Sequence, residues 1–505
     1  MIRAWPAAAV AEAERPLLGA GVDLMGVAST ALATRCLAEL RRVRGRVAGA
    51  DVVVLAGPGN NGGDALYAGA LLRRRGAGVT ALLTADRAHP GGLAALRAAG
   101  GRVRSLARDR PPPVDRARRL LSGADLVLDG ILGIGARGPV RGAAHDVLDG
   151  ELDRTGVVVA VDLPSGLDPD TGAVHGPVLA ADVTVTFGAA KPGLLLPPGD
   201  ALAGEVQVVP LGLDLSGAGQ PAVTRWGPPD LAEAWPWPWR SADKYARGVL
   251  GVVAGSASFP GAAVLAVTGA VGSGVGLVRY AGDPEVARAV VEACPEAVPD
   301  PLPGTGRVQA WLVGPGMAPE RDPVAARLVD AVAERLRRDD AAPAVVDAGA
   351  VALLGARSAA GDLPRPERLL LTPHAGELAG LLATLGRPAD RASVEADPAS
   401  HARRAAALTG ATVLLKGATT VVASPGGDVA TVASAPPWLA TAGSGDVLSG
   451  VAGTLLAAGL PPGVAGPAAA LTHGLAGRRA AGPGRGGPVP ASVLVLAVRE
   501  VVAGL

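Results

Sequence analysis

A glycine-rich loop with two asparagines and an aspartate is the first segment of this 505-residue chain that is suited to chemistry. It reads GPGNNGGD from Gly57 to Asp64, and Asn60 and Asn61 are the only asparagines in the sequence. The loop follows the apolar run Asp51–Ala56 and precedes a helical pattern. Such a turn exposes free N–H groups suited to phosphate or ribose hydroxyls, although it is neither a GxGxxG fingerprint nor a P-loop. The alternative is an ordinary βα turn.

Two further acidic residues follow apolar runs in the first half. Asp129 opens the segment DGILGIGARGP, and Asp162 opens the segment DLPSG. Because the carboxyl ends of parallel strands meet at one edge of a sheet, we expect one cleft to gather five polar side chains: Asn61, Asp64, Asp129, Asp162 and Ser165. Their oxygens are hard ligands, suited to an alkali or alkaline-earth ion. Taken singly, each aspartate is better explained as a helix cap or turn residue; it is their grouping that favours a site.

In the second half, small residues run into an acidic residue at the start of a helical pattern. The segment reads AGSGDVLSG, with Asp446 in the first helical turn. Free N–H groups at a helix N-terminus favour a phosphoryl group, and a carboxylate placed there can take a proton from an attacking hydroxyl. The alternative is that Ser444 or Asp446 only caps the helix.

Other turns of the second half supply groups that suit a nucleotide. The turn Lys416-Gly-Ala-Thr-Thr420 joins two predicted strands, and a lysine with hydroxyls there can meet phosphate. His374 can orient a phosphate or ribose, or cap the next helix. Turns at Gly316 and Ala262 also follow predicted strands.

Short apolar runs alternate with helical patterns in both halves, which indicates two doubly wound α/β domains. We predict domains at 1–212 and 241–505, joined by a Pro/Trp-rich linker at 213–240. The predicted strands of the first half are Asp51–Ala56, Val79–Leu83, Leu126–Asp129, Val157–Asp162, Val183–Thr186 and Gly204–Val209. Those of the second half are Val249–Ala254, Val308–Val313, Ala344–Asp347, Arg368–Leu371, Thr412–Lys416 and Thr419–Ala423.

The composition excludes several classes of function. A formal net charge of +1 without long basic tracts argues against nucleic-acid or membrane-surface binding. Two distant cysteines exclude a disulfide framework and fit a reducing cytoplasm. The uncharged stretches Val249–Val278 and Val447–Gly477 are long enough to span a membrane, but glycines and prolines interrupt them, so we predict buried strand–loop–helix segments.

The motifs of the first half, together with TFGAAKPG at Thr186–Gly193, resemble the NAD(P)HX epimerase domain, whose fold is Rossmann-like; NAD(P)HX is hydrated NAD(P)H. The resemblance covers about residues 1–210. It implies a potassium ion held by Asn61, Asp129 and Ser165, and proton transfer at C6 by Asp162, with Lys191 close by. It implies that the hydrate is bound by Asn60, Asn61, Gly62, Gly63, Asp64, Gly133, Ile134, Gly135, Ala136, Arg137, Gly138, Pro139 and Asp162.

The motifs PGAAVLA, VGPGM, LTPHAGEL, LLKGATTVV and AGSGDVLSG occur in the order found in the ADP/ATP-dependent NAD(P)HX dehydratase domain, of ribokinase-like fold. The second half resembles that domain over about residues 241–505. The resemblance implies that Asp446 deprotonates the C6 hydroxyl of the S hydrate, which is phosphorylated and then loses phosphate. It implies hydrate contacts at Ala262, Gly316, His374 and Asp446. It further implies that ADP or ATP, with Mg²⁺, is bound by Lys416, Gly417, Ala418, Thr419, Thr420 and Gly445.

Our main hypothesis is therefore a bifunctional cytoplasmic repair enzyme that acts on NADHX and NADPHX, with ADP favoured over ATP and a homo-oligomeric state expected. The first alternative is a ribokinase-like small-molecule kinase with an accessory domain. The second is a nucleotide-binding scaffold without catalysis. It draws on two departures from the family pattern: Ile134 stands where threonine is usual, and Gly349 where aspartate is usual.

Overall fold

The structure, a computed structural model, describes residues 1–106, 114–135, 138–150, 152–300, 306–318, 322–337, 342–484 and 486–505. It divides into two units, Ile2–Val223 and Thr224–Leu505, and Met1 belongs to the second. In each unit, strands rich in Val, Leu and Ala are buried along nearly their whole length. This is the burial that a sheet covered by helices on both faces requires.

The N-terminal unit alternates strands with helices. Its elements are β1 Ile2–Ala4, α1 Ala7–Gly19, α2 Leu24–Arg44, β2 Asp51–Ala56, α3 Asn60–Arg74, β3 Gly78–Leu83, α4 Pro90–Ala98, β4 Arg102–Ser105, α5 Val114–Ser122, β5 Leu126–Gly130, α6 Ala143–Leu148, β6 Val157–Val161, β7 Val183–Phe187, α7 Gly199–Ala203 and β8 Glu205–Val209.

The N-terminal sheet is parallel throughout, in the order β4-β3-β2-β5-β6-β7-β8. Successive residues of β2 belong to different cores: Val52 and Val54 pack on one face of the sheet, and Val53 and Leu55 on the other. The chain order reverses between β2 and β5, so the loops after these two strands flank the crevice where doubly wound sheets bind ligands.

The C-terminal unit is built from the remaining elements. They are β9 Val223–Arg225, α8 Pro228–Ala234, β10 Val249–Val253, α9 Pro260–Gly272, β11 Leu277–Tyr280, α10 Pro284–Ala293, β12 Ala297–Pro299, β13 Ala310–Val313, α11 Pro323–Leu336, β14 Ala344–Val346, α12 Gly349–Ala359, β15 Leu369–Leu371, α13 Ala375–Thr384, α14 Arg391–Ala396, α15 Pro398–Thr409, β16 Thr412–Leu415, β17 Thr420–Ala423, β18 Val429–Val432, α16 Ser444–Ala457, α17 Pro462–Ala481 and α18 Ala491–Ala503.

The C-terminal sheet runs in the order β9-β18-β17-β16-β15-β14-β13-β10-β11-β12. The strands from β16 to β12 are parallel, whereas β17 pairs antiparallel with both β16 and β18. The order reverses between β10 and β13, so the loops after these strands flank the ligand crevice of this sheet.

Helix α16 is the central helix of the C-terminal unit. Its residues Val447–Ala457 are all buried, and a β-carbon on Gly450 would lie 2.2 Å from the carbonyl oxygen of Ala266 in α9. Only glycine permits this close approach of the two helices. Its first turn, which carries Asp446, is therefore anchored by a rigid core.

The predicted linker 213–240 is only partly irregular. It contains β9, which pairs in parallel with β18, and α8, whose Leu231 is fully buried. Trp235 is buried in the same core, whereas Trp237 and Trp239 are exposed. The prolines concealed these elements because Pro228 and Pro229 occupy the first turn of α8, where a missing N–H costs no hydrogen bond.

The predicted strands agree closely with the structure, although β1, β4, β11, β12 and β18 were not predicted. Each predicted strand is present with ends shifted by at most two residues. The stretch Val249–Val278 forms β10, α9 and the first two residues of β11, while Val447–Gly477 forms two helices rather than a strand and a helix. Among the described residues, no single helix is long and apolar enough to cross a membrane; α1 and α2 pass that test only as a pair bent by 117°.

Candidate active sites

The loop after β2 is the base of the N-terminal site. Helix α3 begins at Asn60, five residues earlier than the helical pattern indicated, so Asn60–Asp64 form its first turn. A β-carbon on Gly62 would lie 2.1 Å from the carbonyl oxygen of Gly57, so only glycine permits this turn. The Asn61 side-chain amide donates to the carbonyl oxygen of Leu132 at 2.8 Å, which joins this loop to the one after β5.

Asp129 lies at the end of β5 and is fully buried. Its Oδ1 accepts a hydrogen bond from the Ser165 hydroxyl at 2.6 Å, and its Oδ2 accepts one from the Ser165 backbone N–H at 2.8 Å. Burial raises the pKa of Asp129, although the hydrogen bonds from Ser165 and Ile131 act to lower it. The structure thus brings Asn61, Asp129 and Ser165 together around the Leu132 turn, since the Ser165 hydroxyl also accepts from the Leu132 N–H.

Asp162 follows β6 and is held by an ion pair. Lys191 Nζ, 1% exposed, lies 2.5 Å from Asp162 Oδ1 and also donates to the Thr186 hydroxyl and the Phe187 carbonyl oxygen. Thr186 donates to the same Asp162 oxygen at 3.0 Å. Asp162 has a positive φ of 68°, uncommon for a residue with a side chain. Strained backbone of this kind is concentrated at functional sites, and here it turns the carboxylate toward Lys191.

Two more carboxyl groups share the environment of Asp162. Asp64 is 8% exposed and its Oδ1 has no hydrogen-bond partner. Burial, together with the carboxyls of Asp162 and Glu14, raises the pKa of Asp64 to about 8. Burial also raises the pKa of Glu14; the charge of Lys191 opposes this rise and the charge of Asp162 adds to it. At neutral pH, therefore, a protonated carboxyl of Asp64 lies close to the Asp162–Lys191 pair.

The other predicted hydrate-binding residues follow β5 along the chain. Gly133, beside Asn61, and Ile134 are half-buried, and Gly135 is exposed. Gly138 is half-buried and Pro139 is exposed. Ala136 and Arg137 lie outside the described residues.

The first turn of α16 forms the centre of the C-terminal site. Gly443 precedes the helix with a φ of 85°, and Asp446 is half-buried in the first turn. Burial raises the pKa of Asp446 to about 7; the Asp347 charge adds to the rise and Lys416 opposes it. A carboxyl that titrates near neutral pH is suited to accept and release a proton under physiological conditions.

Lys416 reaches this turn from the end of β16. Its Nζ lies 3.6 Å from the position that a β-carbon on Gly445 would occupy, and 2.8 Å from Asp347 Oδ1. Burial disfavours its charge, but the carboxylates of Asp347 and Glu377 raise the pKa of Lys416 overall. The site therefore contains a permanent cation next to the free N–H groups of the helix.

Asp347, at the end of β14, is the buried hub of this site. Its carboxylate accepts hydrogen bonds from Thr372 at 2.9 Å, Lys416 at 2.8 Å and Ser449 at 2.8 Å. Burial alone would raise its pKa, but Lys416, Ser449 and Thr372 lower the pKa of Asp347 below its usual value. The residue that departs from the family pattern, Gly349, begins α12 two positions later.

The other predicted residues of the second half lie around this centre. His374 caps α13: its Nδ1 accepts from the Glu377 N–H and its own N–H donates to Glu377. The backbones of His374 and Lys416 form an isolated parallel β-bridge. Gly316 and Ala262 flank the β10–β13 crevice, and a β-carbon on Gly316 would lie 2.5 Å from that of Ala262. In the β16–β17 turn, Gly417 and Ala418 are exposed, Thr419 is buried and Thr420 is half-buried.

Comparison with known proteins covers both units. A family described as NAD(P)H-hydrate dehydratase matches residues 250–486, and one described as YjeF-related protein N-terminus matches residues 21–193. The bifunctional NAD(P)H-hydrate repair enzyme of Mycobacterium leprae is 42% identical over 510 residues, which covers 99% of each chain. This chain belongs to the bifunctional NAD(P)H-hydrate repair enzymes. The resemblance inferred from the motifs is thereby confirmed.

Two relatives of the repair enzymes match single units. The NAD(P)H-hydrate epimerase of Clavibacter sepedonicus is 47% identical over 222 residues, covering 42% of this chain and 92% of the relative. The ADP/ATP-dependent NAD(P)H-hydrate dehydratase of Bacillus subtilis has a crystal structure, obtained by co-crystallization with ATP and Mg²⁺. Its sequence is 27% identical to the matched part of this chain. The match covers 55% of this chain and 97% of the dehydratase, with a TM-score of 0.47. The match to repair enzymes along the full chain favours the bifunctional hypothesis over a kinase with an accessory domain.

Sequence motifs missed several residues of this repair enzyme's sites. Glu14 lies on α1, which carries no motif, so nothing in the sequence linked it to Asp64. The position of Asp347 at the end of a buried strand, like that of Asp129, could have indicated a site residue. The sequence analysis instead singled out only Gly349, two residues later. Ser449 and Thr372 lie inside the motifs AGSGDVLSG and LTPHAGEL, but the buried hydrogen bonds that they donate to Asp347 become apparent only in the fold.

Proposed function

We propose that this chain repairs hydrated NADH and NADPH at two separate active sites. The N-terminal unit interconverts the R and S hydrates, and the C-terminal unit dehydrates the S hydrate with ADP, the favoured donor, or ATP. The observation that carries the proposal is that each unit places a reactive carboxyl, Asp162 or Asp446, with a lysine at the carboxyl edge of its own sheet. The relatives named for both activities support the same conclusion. We expect the enzyme to work in the cytoplasm.

In the C-terminal site, Asp446 acts as the general base. It takes the proton of the C6 hydroxyl while that oxygen attacks the terminal phosphoryl group of ADP, giving AMP and a phosphorylated hydrate. The lone pair of the ring nitrogen then expels phosphate as the C6–O bond breaks. Loss of a proton from C5 restores the ring double bond of NAD(P)H. A carboxyl with a pKa of about 7 is ionised often enough to start this sequence at neutral pH.

The phosphate groups are held between a helix N-terminus and a lysine. The N–H groups of the first turn of α16, including that of Gly445, have no carbonyl one turn earlier in the helix and point toward the phosphoryl group. Lys416 faces the same space and supplies a positive charge. Magnesium enters with the nucleotide and neutralises charge on its phosphates. The turn Lys416–Thr420 binds the rest of the adenine nucleotide, and Ala262, Gly316 and His374 contact the hydrate.

In the N-terminal site, Asp162 transfers a proton to and from the hydroxyl group on C6 of the hydrate. Lys191 and Thr186 hold its Oδ1 in place, which leaves Oδ2 to face the ligand. Epimerisation needs a bond at C6 to break and form again: the hydroxyl leaves as water while the ring-nitrogen lone pair forms an iminium, and water then adds to the opposite face. A carboxyl group held in place can give a proton to the leaving hydroxyl and take one back from the incoming water. The first turn of α3 and the loop from Gly133 to Pro139 bind the nucleotide around it.

The residues predicted to hold potassium fit such an ion. Asp129 is fully buried, yet no ion pair in the described part of the chain balances its charge. Ser165 and Ile131 donate hydrogen bonds to its oxygens, yet burial still raises its pKa. The donor set of Asn61, Asp129 and Ser165 consists of hard oxygens. A bound potassium ion would keep Asp129 ionised and fix the loops on either side of the crevice.

The experiment uses purified enzyme and an equilibrium mixture of both NADHX epimers. With ADP and Mg²⁺ present, we expect the NADH absorbance to rise until the whole mixture has been converted. Recovery of the S fraction alone would show that the N-terminal unit lacks epimerase activity. No recovery with either ADP or ATP, in protein that still binds the nucleotide, would refute the proposal and favour the scaffold alternative.

A further inference from the structure

A buried histidine contacts a backbone carbonyl of the phosphoryl-binding turn, the first turn of α16 in the C-terminal unit. His473 lies on α17, is 9% exposed, and its Nε2 is 2.9 Å from the carbonyl oxygen of Ser444. Because a carbonyl oxygen can only accept, the imidazole must donate through Nε2–H. Burial, aided by the charge of Lys416, lowers the pKa of His473 to about 4, so the ring is neutral at physiological pH.

The geometry points to His473 as a positioning residue that fixes the Ser444–Gly445 peptide plane and so aims the Gly445 N–H at the phosphoryl group. The carbonyl of Ser444 and the N–H of Gly445 belong to the same peptide unit, which is planar and trans. They therefore point in opposite directions, and a donor that holds the carbonyl also holds the N–H. This inference rests on the proposed dehydratase site at α16 and names a residue outside its motifs.

Ser444 opens α16, so its carbonyl oxygen accepts the helical hydrogen bond from the Leu448 N–H, and His473 adds a second donor to the same oxygen. Two further contacts restrain the rest of Ser444. The Ser444 hydroxyl donates to the carbonyl oxygen of Leu439 at 2.8 Å, and the Ser444 N–H donates to that of Thr441 at 3.4 Å. The Gly443 peptide before them adopts a left-handed conformation, which is freely accessible only to glycine. Without the imidazole, the helical hydrogen bond alone holds the Ser444 carbonyl, and the peptide that carries the Gly445 N–H can tilt.

The packing of α17 explains why the imidazole reaches this place. A β-carbon on Gly474 would lie 3.0 Å from Ser434, and one on Gly477 would lie 2.6 Å from the Leu439 side chain. These glycines allow α17 to lie directly against the segment that leads into α16. Preorganised N–H donors act best when they do not reorient during the reaction, and the buried imidazole provides that rigidity.

The test compares three substitutions in the full-length enzyme. His473→Gln retains an N–H donor of similar reach, whereas His473→Leu fills similar space without a donor; His473→Met is a second donor-free variant in case the branched side chain prevents folding. We expect the donor-free variants to lose about tenfold or more in kcat for NADH formation, with the KM for ADP changing less, because the N–H acts on the transferring group. His473→Gln should keep most of the rate.

Epimerisation by the same protein serves as the internal control for folding. A donor-free variant with wild-type kcat, or a glutamine variant as slow as the leucine variant at equal thermal stability, would overturn the inference. Failure of the underlying site is distinguishable from these outcomes. If Asp446→Ala still dehydrates NADHX at the wild-type rate, the site itself is misplaced, whatever the His473 variants do.

Discussion

Lys416 and Asp347 form a buried ion pair in the C-terminal site, with Nζ 2.8 Å from Oδ1. Lys416 is at the end of β16 and Asp347 is at the end of β14, so the pair joins the carboxyl ends of two strands separated only by β15. The same pair sets the electrostatics of Asp446, since Asp347 raises its pKa and Lys416 lowers it. The lysine that faces the phosphates and the aspartate that takes the proton thus share one buried partner.

Replacing Asp347 by asparagine should impair dehydration in a specific way. Lys416 loses a charged hydrogen bond, worth about 1.5–3 kcal/mol, so kcat/KM for ADP should fall about tenfold to a hundredfold. The acidic limb of the pH–rate profile, which reports Asp446, should move to lower pH because a neighbouring negative charge is gone. Ser449→Ala is the matched control, since it removes one hydrogen bond to Asp347 but no charge. An unshifted limb in Asp347→Asn would contradict the assignment of Asp446 as the base.

Asp446→Asn should stabilise the folded protein at alkaline pH while abolishing dehydration. Burial raises the pKa of Asp446 to about 7 from its ordinary value of 3.8, so between these pH values the folded state binds more protons than the unfolded state. Stability from this group therefore falls as pH rises through that window. Asparagine mimics the neutral carboxyl. Thermal unfolding should show a higher midpoint for the variant at pH 8 and no difference near pH 3; equal midpoints at both pH values would refute the buried-charge interpretation.

The buried pair of Asp162 and Lys191 allows a double-mutant cycle. Lys191→Met leaves an unpaired buried carboxylate, so we expect a loss of about 3–5 kcal/mol in stability along with epimerase activity. The double variant Lys191→Met/Asp162→Asn should regain most of the stability but none of the activity. Dehydration of the S hydrate, measured in each protein, provides the control. Epimerisation by the double variant at the wild-type rate would show that neither residue takes part in the reaction.

The potassium site can be tested without measuring activity. A ligand that binds only the folded state raises the unfolding midpoint with its concentration. We expect KCl to raise the midpoint of the N-terminal unit more than choline chloride does at equal ionic strength, because choline is too large for the site. Asp129→Asn should remove the difference between the two salts. If the wild-type enzyme shows no preference for potassium, these residues do not hold the ion.

The sequence predicted the sheet edges well because buried strands and their glycine turns are local signals. The apolar run from Asp51 to Ala56 ends where the strand ends; Asp129 lies at the end of β5 and Asp162 directly follows β6, each within one residue of the predicted strand end. Parallel pairing then requires these turns to share one edge, whatever lies between them along the chain. Hence the grouping of Asn61, Asp129 and Ser165 was accessible without a structure.

The residues that escaped prediction act through contacts over long sequence distances. Glu14 affects Asp64 only because α1 packs near it. His473 contacts Ser444 only because two glycines allow α17 to lie close to the segment that leads into α16. Strand β9 was hidden in the Pro/Trp-rich segment because its three residues carry no periodicity, and its pairing with β18 joins residues about 200 positions apart. No local pattern encodes such contacts.

The central claim is that one chain contains two independent active sites, and a complementation assay tests it most directly. Asp162→Asn and Asp446→Asn are assayed separately and then mixed, with both NADHX epimers, ADP and Mg²⁺. We predict that Asp162→Asn converts only the S fraction quickly, that Asp446→Asn forms no NADH, and that the mixture converts all of the substrate. If Asp446→Asn also fails to interconvert the epimers, and the mixture stops at the S fraction, the two sites are not independent and the account is wrong.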